Sequence, residues 1–165
     1  MRLSNYVIKN FKACDGRFGF GFSGQIAKNG VKVAEFENYG DGGSTDVDFV
    51  SKDRREEFKA AVDEAGFTGA EPIETAISVM VDASDGVKSL SRKMKKNVCV
   101  QDLLATDSSF YAYPVESTVA EDRFHKFLAT KFPNGFVVLN DLDADVLWNR
   151  VLGWQLDAYR QMLAA

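Results

Sequence analysis

A chain of 165 residues that is 45% hydrophobic and 27% charged has the composition of a folded globule and argues against a disordered chain. Its net charge of −4 and pI of about 5.1 argue against a general nucleic-acid coat. No run of about 18 apolar residues occurs, which excludes a membrane-spanning helix of ordinary length.

The size suits a single α+β domain over 1–165, β-rich in 1–50, helical in 51–96 and mixed in 97–165. Tyr6 to Phe11 is rich in β-branched and aromatic residues and reads as a first strand. Arg17 to Ile26 reads as a second, with Phe18, Phe20 and Phe22 at period two and therefore on one face. Asn29-Gly30 predicts a two-residue hairpin turn into a third strand, Val31 to Phe36. Thr45 to Val50 alternates Val47 and Phe49 with Asp46 and Asp48 and completes an antiparallel meander whose apolar face needs a cover of helices.

Ser51 caps a predicted helix ending at Gly66, with Phe58, Ala61, Val62 and Ala65 as its buried stripe. A second helix opens at Pro72 and carries Ile73, Ala76, Ile77, Met80 and Val81 on one side. Ser84-Asp85-Gly86 predicts a break, after which Val87, Leu90 and Met94 form a short third helix. Asn97 to Leu104 and Phe110 to Val115 read as strands. The capping box from Thr118 to Glu121 opens a helix that buries Ala120, Phe124, Phe127 and Leu128 and stops at Pro133-Asn134-Gly135. Phe136 to Leu139 is a brief strand. A long C-terminal helix from about Asp143 has an apolar surface wider than one stripe, including Trp148, Trp154 and Tyr159.

Charge is unevenly distributed along the chain. Residues 36–85 carry thirteen acids against four bases, whereas 86–100 carry Lys88, Arg92, Lys93, Lys95 and Lys96 with no acid. Such segregation steers partners without defining a fold. The candidate partner-binding residues are therefore Asp46, Asp48, Glu56 and Glu57 in the acidic segment and the five bases of 88–96. Trp148, Trp154 and Tyr159 join them as aromatic anchors on the last helix, which is also a candidate homodimer surface.

Recognisable chemistry is sparse. Gly19-x-Gly21-x-x-Gly24 sits inside a strand rather than between a strand and a helix, so no dinucleotide cofactor is expected. Glycines in that setting mark a close backbone approach or a bulge. The accompanying rings Phe18, Phe20 and Phe22, near Lys9, Lys12, Lys28 and Lys32, support either core packing or stacking on single-stranded nucleic acid. Asp141-x-Asp143-x-Asp145 lacks the glycine and terminal glutamate of a calcium loop, so no metal is expected. His125 is the only histidine, and no motif pairs it with Cys99 or Cys14 as a nucleophile. Neither cysteine belongs to a C-x-x-C pair. Lone thiols, and a start at Met1-Arg2-Leu3-Ser4-Asn5 without a signal-peptide run, point to the cytoplasm, and the want of a recognisable catalytic constellation favours a non-enzyme over the lesser alternative of an unorthodox enzyme.

The segments Tyr6-x-Ile8-Lys9-Asn10-Phe11-Lys12-Ala13, Gly16-Arg17-x-Gly19-x-Gly21-Phe22 and Asn29-Gly30-x-Lys32-Val33-Ala34 carry a resemblance. So do Lys93-Met94-Lys95-Lys96 and Lys131-Phe132-Pro133-x-Gly135-x-Val137-x-Leu139-Asn140. With these, the chain resembles small uncharacterised accessory proteins of phages and mobile elements. The resemblance implies a compact accessory protein without a catalytic residue to carry over. By analogy it implies counter-defence: inhibition of a host nucleic-acid-processing or CRISPR-type complex by binding.

Overall fold

Period-two alternation in the first fifty residues becomes a four-stranded antiparallel sheet, and the whole chain is α+β as its patterning predicts. The computed structural model describes residues 2–15, 17, 19–104, 109–115 and 121–164. Phe18, Gly16, Thr118 and Ala120, each singled out above, lie outside the described residues. The chain gathers into two compact units, Met1–Ser84 and Asp85–Ala165.

In the first unit, β1 (Tyr6–Asp15), β2 (Phe20–Lys28), β3 (Val31–Asn38) and β4 (Asp46–Phe49) lie in sequence order. Asn29 and Gly30 turn β2 into β3 with φ of 49° and 82°, the two positive values that a type I′ turn requires. Gly24 stands opposite Phe36, Ile26 opposite Ala34, and these two β3 residues stand opposite Val47 and Phe49. That row is the core face. A Cβ on Gly24 would lie 2.6 Å from Cζ of Phe36, so the ring occupies the space that only glycine leaves. A bulge between Ile26 and Ala27 lets the consecutive residues Val33 and Ala34 both be fully buried, which regular alternation forbids.

Helix α1 (Lys52–Glu64) covers this face. The Ser51 side chain accepts the Arg54 N–H at 3.3 Å, and Gly66 adopts φ of 90° just past the C-terminus, as the sequence predicts. Phe58 is fully buried, edge-on to Tyr6 with ring centroids 5.0 Å apart and 6.0 Å from Phe49.

Helix α2 (Pro72–Met94) runs unbroken through Ser84-Asp85-Gly86, contrary to the predicted stop. The apolar stripe explains the difference, since it continues through buried Ala83 and Leu90 and half-buried Val87 and Met94. Gly86 is a contact position rather than a breaker: a Cβ there would meet Cγ1 of Val151 at 2.9 Å.

The second unit holds a three-stranded antiparallel sheet in the order β6-β5-β7, from β5 (Asn97–Asp102), β6 (Tyr111–Pro114) and β7 (Phe136–Val138). Helix α3 (Glu121–Lys131) contributes Leu128, which with Val100 and Phe132 forms a buried cluster edged by Val98, Tyr113, Phe124 and Phe136. Phe127 departs from the expected stripe: it is 47% exposed and stacks beside half-buried Phe124, with centroids 6.2 Å apart. Helix α4 (Ala144–Ala164) buries Leu147, Trp148, Val151, Leu152 and Leu156, while Met162 and Leu163 in its last turn are exposed.

Asn140 joins three segments of this unit. Its Oδ1 accepts the Cys99 N–H at 2.7 Å, and its Nδ2 donates to the Met94 and Asn97 carbonyls at 3.1 and 3.0 Å. It thereby satisfies backbone groups at the end of α2 and the start of β5. Replacing Asn140 by Ala orphans all three and is expected to lower unfolding free energy by about 3 kcal/mol in denaturant titration. Gly86→Ala gains about 1 kcal/mol of helix propensity but overpacks against the stiff Val151, for a net loss of about 1 kcal/mol. The double variant G86A/V151A is expected to lose less than the two single variants summed, measured as a coupling energy.

Candidate functional site

The face of the first sheet turned away from α1 is acidic because of its register. Glu35 stands directly opposite Asp48, and Glu37 directly opposite Asp46. All four are exposed. Like charges opposed across a ladder oppose sheet formation, and the chain offsets only part of this repulsion. Lys32 pairs with Glu35 and Gln25 donates to the same carboxylate, which together hold Glu35 below the usual carboxylate range. Glu37 accepts from the Tyr39 hydroxyl at 3.0 Å, and this carboxylate pushes the Tyr39 phenol upward. The side-chain carboxylates of Asp46 and Asp48 have no hydrogen bond or ion pair among the described residues.

A polar chain sets the position of β4. Asn38 donates to Thr45 Oγ1 at 3.1 Å and accepts the Gly40 N–H at 2.9 Å, and Glu74 of α2 accepts the Thr45 N–H at 2.8 Å. Thr45 is buried within this network. The segment between β3 and β4 is therefore tied at both ends, and the acidic face is a fixed array.

The remaining sequence-predicted positions fall elsewhere. Glu56 is exposed on α1. Glu57 serves structure, pairing with Lys28 of β2 and with Arg54, and both hold its carboxyl below the ordinary value. Lys28 in turn is raised, chiefly by the same hydrogen bond. Lys88, Arg92, Lys93, Lys95 and Lys96 are all exposed around the C-terminal turns of α2, where basic groups complement the helix dipole. Lys88 lies 3.7 Å from Asp85, and Lys93 sits over the Phe110 ring at 5.1 Å. Trp148 is buried at 6% exposure, and Trp154 and Tyr159 are half-buried.

The two described rings of the glycine-spaced set, Phe20 and Phe22, divide between core and surface. Phe22 is half-buried and packs 6.0 Å from Phe36, whereas Phe20 is 54% exposed at the end of β2, so core packing accounts for only one of the two described rings. Their face is not the face of the nearby lysines: Lys9 and Lys12 stand opposite Gln25 and Ser23, on the acidic side of the sheet. Lys28 and Lys32 are held by Glu57 and Glu35. Gly21 and Gly24 are required by close approach, since a Cβ on Gly21 would lie 3.1 Å from the Asn38 carbonyl oxygen. Cys99 is fully buried, and burial pushes its thiol upward, away from the thiolate that nucleophilic chemistry needs. His125 is exposed, with its ring 6.2 Å from Phe136. No group of three or more His, Cys, Asp or Glu among the described residues is placed to hold a metal, and no described helix is long and apolar enough to cross a membrane.

One cluster escaped sequence reasoning. The Lys131 ammonium donates to the Tyr113 hydroxyl at 2.9 Å and lies 4.3 to 5.9 Å from the ring centroids of Tyr111, Tyr113, Phe127 and Phe132. The only signal in the sequence is the concentration of rings on either side of Lys131.

The Glu57 pair generates a pH prediction. Its folded carboxyl lies below the ordinary 4.5, so its stabilising contribution is complete above that value and disappears as pH falls through the depressed one. Glu57→Gln is expected to leave the melting temperature at neutral pH within about 2 °C, since exposed ion pairs contribute little. It is expected to shallow the fall in melting temperature between about pH 5 and pH 3, measured by calorimetry. Compared with known proteins, the chain matches no family model, no curated protein and no solved structure.

Proposed function

We propose that this chain is a non-catalytic, protein-binding accessory protein of the cytoplasm. In this reading it inhibits a nucleic-acid-processing complex, as a counter-defence protein does, by presenting an acidic surface to a basic cleft. The observation that supports it is the array of Glu35, Glu37, Asp46 and Asp48, opposed in pairs on one open sheet face. Same-face residues recur about 7 Å apart along a strand, and opposed Cβ atoms lie about 5 Å apart across a pair. Four carboxylates at that spacing form a dense anionic patch, as a nucleic-acid backbone does. A cleft built for phosphate meets a competitor at such a face, and long-range attraction speeds the encounter.

The test is affinity capture from a bacterial host lysate with the wild-type chain and with the D46N/D48N variant, followed by mass spectrometry. A nucleic-acid-processing protein held by the wild type at low salt, and lost with the variant or at about 0.5 M salt, is the expected result. Recovery of the same set of proteins by both chains would sink the proposal.

A further inference from the structure

Two concave surfaces meet at β4. One lies on the acidic face of the sheet and reaches Phe11 and Tyr39; the other runs between β4, α1 and the start of α2, past Lys52, Arg55 and Ile73. Asp46, Val47 and Asp48 line both. β4 is also an edge, paired with β3 on one side and, among the described residues, with no strand on the other. Val50 N–H donates to the Val33 carbonyl at 3.0 Å, so by antiparallel alternation the peptide groups of Val47 and Phe49 face outward. The Thr45 N–H, of the same parity, is the one taken by Glu74. The outward groups of the next residues are a template for another strand.

We propose, resting on the protein-binding reading above, that β4 is a docking edge for an extended segment of the partner. The segment adds as a new outer strand and carries Lys or Arg at alternate positions. Two of those bases would stand opposite Asp46 and Asp48 and extend the rows that begin at Glu37 and Glu35. Each row then changes from two opposed acids to acid, acid and base, which relieves a repulsion the free chain carries. The residue between the bases stands opposite Val47 and exchanges both backbone hydrogen bonds with it. Charge also selects against the simplest competitor: the β4 edge of a second copy would set acids against acids. The other edge, β1, carries Lys9 and Lys12, but its register shifts between them and Asn10 adopts φ of 52°.

The test uses the full chain and three fluorescent seven-residue peptides of equal charge, read by anisotropy. One alternates Thr and Arg; one has the same residues with the arginines contiguous; one alternates but is N-methylated at the threonines, whose N–H groups would face β4. The alternating peptide is expected to bind at least about tenfold more tightly than the other two, and the D46N/D48N variant to lose that binding by a similar factor. Equal binding of all three overturns strand addition while leaving the charge-based function standing. Binding of none overturns the inference, and lysate capture then judges the function separately. Concentration-dependent self-association of the wild type that excludes the alternating peptide overturns it in favour of a second copy.

Discussion

Register carries the most consequence in the first unit, because slipping a strand by one residue exchanges its faces. Two local features prevent the slip between β2 and β3. The Asn29-Gly30 turn fixes which residues face each other at one end, and the Phe36 ring seated over Gly24 fixes it near the other. A one-residue shift would drive that ring into a side chain and turn Glu35 and Glu37 toward Phe58. With the register set, the core row beneath α1 and the acidic row above it are two outcomes of one pairing.

The same pairing explains why the acidic face is a poor place to recover stability and a good place to meet a cation. Cross-strand repulsion at Glu35–Asp48 and Glu37–Asp46 is only partly relieved by Lys32, Gln25 and Tyr39. The aspartates stand on a strand of only four residues at the sheet edge, where short length and charge also discourage pairing with another acidic edge. Exclusion of one kind of strand and attraction of another follow from the same two side chains.

Much of this architecture was legible in the sequence because its signals are local. Period-two alternation marked the strands, Asn29-Gly30 the turn, Ser51 the cap, and Phe58, Ala61 and Val62 the buried stripe of α1. Asp46 and Asp48 were legible as the polar half of an alternation. That Glu35 and Glu37 lie opposite them was not, because register between strands leaves no trace in either strand alone. Long-range partners were equally hidden: Asn140 bonds residues 41 to 46 positions away. Gly86 misled because a glycine that admits Val151 and a glycine that ends a helix are the same letter. Phe127 misled because helical spacing places a ring on a face without saying how far the neighbouring sheet extends.

The four rings about Lys131 form a receptor whose guest is tethered to the same chain. Tethering keeps the ammonium's effective concentration at these rings far above that of any free amine. Acylation of that one nitrogen would take away the charge and with it the attraction that draws the four rings around one point.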